Sequence, residues 1–220
     1  LATAFFLNLL NVNKLLPDLM GPYSLLIYSL LFLIIFVETG LVFVPFLPGD
    51  SILFLSGSLA ALDGGLNLPG IIFGFIIAAI LGDFVNFELG RHFGQRITKS
   101  PRLKRLIKEK SLKASERFYA KYGKAAIFLG RFVPIVRTIV PFTAGMSRMA
   151  YRSFSKYNII GAISWILIMT LSGFFWGNIP VVKNNFQFVM IAIIIISLLP
   201  VILVRIRASL AAARSGSRHD

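Results

Sequence analysis

From Tyr157 to Val182 the chain runs without a single charged side chain. A helix of that length crosses about 30 Å of hydrocarbon with its backbone polar groups satisfied internally, a condition that only helices and closed barrels meet in lipid. Tyr23 to Val37, Asn67 to about Phe93 and Phe186 to Val204 are further apolar runs. Hydrophobic residues make up 56% of the 220 and charged residues only 15%, too few to coat a water-soluble globule of this size. The class is therefore an integral membrane protein. The first segment, with Asn8, Asn11, Asn13 and Lys14, lacks the pattern of a signal peptide and reads as an amphipathic interfacial helix. A chain that opens on Leu1 is expected to lack its initiator methionine.

Two other apolar stretches are broken. Leu41 to Leu62 is interrupted by Pro45 and by Pro48-Gly49-Asp50, and Ala125 to Ser147 contains Arg131, Pro134, Arg137, Pro141 and Gly145. Proline removes a backbone donor and imposes turn geometry, so re-entrant segments fit both stretches better than straight crossings. Each is followed by a long span that ends in Gly-x3-Gly, at Gly90/Gly94 and again at Gly173/Gly177. Paired broken segments in corresponding positions of two halves point to a midplane binding site. The expected fold is all-α: about four transmembrane helices plus two opposed re-entrant helical hairpins in an inverted repeat, with amphipathic interfacial helices. The 220 residues form one membrane domain. Its parts are an amphipathic segment over 1–20, a first repeat half over 38–94, a basic amphipathic surface helix over 95–124, a second half over 125–180, a last span over 184–206 and a basic tail over 207–220.

The formal net charge of +14 is concentrated rather than spread. Between Arg91 and Lys124 stand twelve Lys/Arg against Glu109 and Glu116. Short Lys/Arg-rich segments stay in the cytoplasm, so this loop and the tail are expected there, and nucleic acid is not an expected partner. Cysteine is absent, which excludes disulfides, thiolate chemistry and the common zinc frameworks. His92 and His219 stand apart, and no His-Glu-x-x-His or membrane-phosphatase pattern occurs. No metal, cofactor or enzymatic activity is expected.

Glu38, Asp50, Arg131 and Arg137 are the ionisable residues set in apolar, broken-helix surroundings. Each costs roughly 2.5–3.5 kcal/mol at a helix centre when unpaired, so they are expected to pair, bind a ligand or sit in a wet cavity. Plainer readings stand beside this one. Glu38 could lie at an interface, Asp50 could cap a helical turn, and the two arginines could snorkel to the surface. Two arginines beside the free amino end of a broken helix suit a phosphate, and two carboxylates suit proton exchange. Asp83 and Glu88 do not share a tight face of their helix.

Phe36-Val-Glu-Thr-Gly-Leu-Val, Pro45-Phe-Leu-Pro-Gly-Asp-Ser, Gly82-Asp-Phe-Val-Asn, Gly90-Arg-His-Phe-Gly, Gly130-Arg-Phe-Val-Pro-Ile-Val-Arg-Thr and Pro141-Phe-Thr-Ala-Gly-Met together resemble the DedA family. That family shares the SNARE-associated or VTT domain with eukaryotic lipid scramblases. The resemblance covers roughly residues 20 to 205. It implies a bacterial inner-membrane, multi-pass lipid transporter that moves undecaprenyl phosphate or phospholipid with the proton gradient, in support of envelope biogenesis and membrane homeostasis. By the same resemblance Arg131 and Arg137 bind substrate and Glu38 and Asp50 couple protons, supported by Pro48, Gly49, Asp83, Pro134, Pro141 and Gly145. The expected partners are a membrane lipid phosphate and protons, with a homodimer left open. An alternative is a proton-coupled exporter of ions or cationic drugs, and a third is a scaffold whose basic helix gathers anionic lipid.

Overall fold

The computed structural model describes residues 23–41, 49–62, 65–99, 109–133 and 136–184. The expected amphipathic segment 1–20, the last span beyond Asn184, the basic tail, Pro48 and Pro134 lie outside them. The described residues fold into eight α-helices and one short 3-10 turn, with no strand among them: α1 Ser24–Gly40, α2 Gly49–Ala60, α3 Leu68–Lys99, α4 Glu109–Tyr122, α5 Ala126–Gly130, α6 Val140–Met146, α7 Tyr151–Gly177 and α8 Pro180–Asn184. Within α3 and α7, Leu68–Gly94 and Tyr151–Gly177 are each 27 residues of apolar helix, about 40 Å at ~1.5 Å per residue. That exceeds the hydrocarbon thickness. The 17 residues of α1 reach only about 25 Å.

Local chemistry sets the starts. Asn67 accepts the Gly70 amide on its side-chain oxygen at 2.8 Å and so caps α3, while its own amide donates to the Tyr28 hydroxyl at 2.7 Å and ties that start to α1. Pro141 falls in the first turn of α6, where its missing donor costs nothing. Of the basic segment expected as one surface helix over 95–124, residues 95–99 belong to α3, Glu109–Tyr122 form α4, and 100–108 lie outside the described residues. Gly94 does not end α3: the space a Cβ would need there is filled by Met146 of α6. The uncharged run from Tyr157 to Val182 overlaps a helix that begins earlier, at Tyr151, and ends at Gly177, and its last residues enter α8.

Each short helix packs on the long helix of the other half. In the α2–α7 joint, a Cβ on Gly57 would stand 2.0 Å from the Thr170 carbonyl oxygen, and one on Gly173 would stand 1.9 Å from that of Phe54. In the α6–α3 joint, Gly145 meets the Phe87 carbonyl at 2.0 Å and Gly90 meets that of Phe142 at 2.1 Å. Each glycine thus faces the carbonyl three residues before its partner glycine, in both joints. Gly94 against Met146 and Gly177 against Ser58 repeat the correspondence one turn further on. The Gly-x3-Gly pairs therefore work as close-packing surfaces, and backbone-to-backbone contact is what only glycine permits there.

These contacts fix directions. Asp50 at the start of α2 bonds Trp165 near the middle of α7, and Ser58 near its end lies at Gly177. The approach to α6 lies beside Asn86 near the middle of α3, and Met146 at its end lies at Gly94. Since α3 and α7 are antiparallel, with Asn158 at Ile80 and Tyr151 at Phe87, the two short helices start near mid-height and run to opposite ends. The outer surface is apolar, with Leu25 80%, Phe73 67% and Phe175 66% exposed, which suits lipid and not water.

Candidate functional site

The charged groups meet where the two short helices begin. Glu38 sits in the last turn of α1 and is buried, with 1% of its surface exposed, so it does not lie at an interface. Asp50 stands in the first turn of α2, and the turn carrying Arg137 leads into α6. The Arg137 guanidinium donates to Asp50 Oδ1 at 2.6 Å and, through its other terminal nitrogen, to Glu38 Oε1 at 2.5 Å. One fork thus holds carboxylates from two helices, the charge-assisted geometry that favours arginine over lysine. The Gly49 amide also donates to Glu38 Oε1, at 3.3 Å. A Cβ on Gly49 would fall 1.5 Å from Glu38 Oε2, which gives this glycine a steric reason.

Arg131 does not join that cluster by hydrogen bond. Its Nη2 donates to Asp83 Oδ2 and to Asn158 Oδ1, both at 2.5 Å. Asn158 in turn donates to the Ile80 carbonyl at 3.2 Å, so the guanidinium pins α3 to α7. The Arg131 and Asp83 side chains are each 5% exposed, against 14% for Arg137 and 39% for Asp50. The arginines expected to act alike therefore differ: Arg137 faces the accessible side and Arg131 is enclosed. Arg131→Ala leaves a buried carboxylate without its cation and is expected to destabilise the protein by about 3–5 kcal/mol. Asp83→Asn, which keeps an acceptor, is expected to cost less, and thermal unfolding in detergent measures both.

Trp165 joins the two groups. Its indole N–H donates to Asp50 Oδ1 at 2.9 Å, and its ring lies 5.4 Å from the Arg137 guanidinium carbon and 5.8 Å from that of Arg131. Glu38, Thr39, Asp83, Arg131, Arg137, Thr138 and Trp165 line one cavity of about 10 Å³, room for about one water molecule. Three buried polar atoms of these residues, Glu38 Oε2, Arg131 Nε and Thr138 Oγ1, make no hydrogen bond to the protein. Asn86 braces the region by donating to the carbonyls of Thr39 at 3.0 Å and Thr138 at 2.6 Å. Glu88 stands apart, paired with His92 at 3.1 Å toward the end of α3.

Trp165 and Asn158, together with Thr39, Asn86 and Thr138, are the members of the site that the sequence reading missed. Trp165 and Asn158 lie in the uncharged run of α7. A polar amide inside an otherwise apolar span was the available signal for Asn158, whereas nothing separates Trp165 from an ordinary apolar residue. Of the supporting residues, Gly49, Asp83, Pro141 and Gly145 all lie at or beside the helix junctions.

The VTT domain model matches residues 47–175, which take in both short helices and every site residue except Glu38 and Thr39. The chain belongs to the VTT-domain, or DedA, family. It is 45% identical to Protein DedA of Escherichia coli strain K12 over 94% of each chain. It is 39% identical to an uncharacterized membrane protein of Mycobacterium tuberculosis over 82% of this chain and 79% of that one. Identity to the inner membrane protein YqjA of Escherichia coli is 36%, over 75% of this chain and 72% of that one. No solved structure matches the chain. The name of YqjA places that relative in the inner membrane; the chain is likewise an inner-membrane protein, and its two long apolar helices fit that placement.

Proposed function

We propose that this chain carries a lipid with a phosphate headgroup, a polyprenyl phosphate or a phospholipid, across the inner membrane together with protons. The observation that carries the reading is the Arg137 fork held by Glu38 and Asp50 beside a cavity at mid-height of the long helices. A phosphate oxygen pair is the ligand that competes with two carboxylates for one guanidinium, because it offers the same planar acceptor geometry. A proton on either carboxylate removes its charge and releases its hold on Arg137. Among the described residues the cavity holds three carboxylates, counting Asp50 at its rim, against two guanidiniums. One proton brings this group to neutrality, and each negative charge of an entering phosphate is balanced by one more. Proton and phosphate thus enter together.

At about 10 Å³ the cavity is too small for a phosphate, so the arrangement described is the closed one. The pseudo-symmetric joints supply a means of opening. In this reading α2 and α6, with the segments before them, are the two opposed re-entrant elements, and each moves with the long helix of the opposite half. Access then alternates between faces while the lipid tail stays in the bilayer. The role is that of a carrier, and no catalytic step is assigned. A second reading, export of ions or cationic drugs, draws on Glu38 Oε2, a buried carboxylate oxygen without a partner that could face a cation.

In proteoliposomes the protein should speed flipping of lipid phosphate, with proton uptake followed by an internal pH dye. Glu38→Gln keeps the acceptor for Arg137 and loses one of the two proton sites on it, so the dependence of flipping on the proton gradient should weaken, and adding Asp50→Asn should abolish it. Flipping no faster than in protein-free vesicles would rule out the carrier reading.

A further inference from the structure

The basic segment has a built connection to the short helix that follows Arg137. Within α4, Ser115 is fully buried and its Oγ lies 2.9 Å from Oγ1 of Thr143, which is 3% exposed on α6. The Thr143 hydroxyl also donates to the Ile139 carbonyl at 3.0 Å. Its single hydrogen is thereby used, so Ser115 is the donor of the helix-to-helix bond. Phe118 and Tyr119 pack on the cluster of Phe87, Ala126, Ile127 and Val140, which fastens the apolar face of α4 to the same region. Lys113, Arg117, Lys121 and Lys124 are exposed on the other side.

More cations stand at the same end of the molecule. Arg148, Arg152 and Lys156 are exposed at the beginning of α7, and Arg91 lies over the Tyr151 ring at 4.4 Å. Opposing them among the described side chains are Glu116 and Glu88, the latter already paired with His92. Just below this belt the side of α7 offers Ile159, Ile160 and Ile163 to lipid. A cationic ring directly above an apolar slab, on the face that basic residues assign to the cytoplasm, meets headgroups before any soluble polyanion.

We propose that α4 and the adjoining cations form a binding surface for anionic phospholipid headgroups, and that the Ser115–Thr143 bond makes this lipid brace α6 and so the turn bearing Arg137. The surface is a regulatory one, separate from the carrier cavity, and does not depend on the transport reading.

The test places the full chain in nanodiscs of zwitterionic lipid alone and of an equal mixture with phosphatidylglycerol. Two quantities are read: the lipid retained around the protein, by mass spectrometry, and amide hydrogen exchange over residues 140–146. Wild type should enrich phosphatidylglycerol several-fold and exchange more slowly across α6 in the mixed bilayer. The Arg117→Gln/Lys121→Gln/Lys124→Gln variant should lose both effects. Thr143→Val, or Ser115→Ala should that variant fold poorly, should keep the enrichment and lose the slowing. Equal enrichment in wild type and the triple variant overturns the proposal, as does α6 exchange that ignores lipid composition. Retention of nucleic acid in place of lipid would also overturn it.

Discussion

Replacing Arg137 with alanine is expected to reduce lipid-phosphate flipping to the rate of protein-free vesicles while leaving a folded protein. The side chain bridges Asp50 of α2 and Glu38 of α1 and stands at the rim of the cavity rather than inside a packed joint. Truncating one partner of a buried, hydrogen-bonded charge pair costs about 2–5 kcal/mol, which is about thirtyfold or more in affinity for the anion it holds. Arg137→Lys sharpens the test, since it keeps the charge and loses the fork that holds two oxygens at once. It should recover a small part of the flipping rate. Because Arg137→Ala leaves buried Glu38 without its cation just as Arg131→Ala leaves Asp83, both alanine variants should lose some stability, and Arg137→Lys, which keeps the charge, separates loss of transport from loss of stability.

Gly57→Ala and Gly173→Ala are expected to be among the most destabilising single-methyl additions at the described glycines. Each new Cβ would lie 2.0 or 1.9 Å from a carbonyl oxygen of the facing helix, and backbone cannot swing aside as a side chain can. Overpacking costs about 1–3 kcal/mol where neighbours yield, so a loss above about 3 kcal/mol is expected where they do not. Gly145→Ala and Gly90→Ala should behave alike if the two joints are equivalent. Gly74→Ala is the control, because nothing lies within 4 Å of the added methyl. Thermal unfolding in one detergent orders the series, and a Gly57→Ala protein as stable as Gly74→Ala would show that α2 and α7 are not locked together.

Most of this architecture was legible in residues whose chemistry allows few alternatives. Long uncharged runs require helices in lipid, and prolines at 45, 48, 134 and 141 interrupt two of the apolar stretches. Ionisable groups in such stretches had to find partners, and Glu38, Asp50 and Arg137 found one another. What spacing could not give was the pairing itself. Arg131 and Arg137 are separated by a broken turn, so helical geometry says nothing about whether their side chains converge, and Arg131 turned to Asp83 instead. The crossed packing of the halves was hidden for a similar reason. Gly-x3-Gly marks a surface for close approach without naming the helix that approaches. The apolar span does close at Gly94, but hydropathy could not show that the helix itself runs on to Lys99, with Gly94 placed to admit Met146.

The central claim is that a lipid phosphate takes the place of Glu38 and Asp50 on Arg137. The chain has two tryptophans, and Trp165 lies against that guanidinium while Trp176 packs on Phe54. In a Trp176→Phe background the indole fluorescence therefore reports on the site alone. Titration with undecaprenyl phosphate should give a saturable change, undecaprenol of the same tail should give none, and Arg137→Ala should abolish the response. Equal responses to the phosphate and the alcohol, or a phosphate response that survives loss of Arg137, would contradict the account.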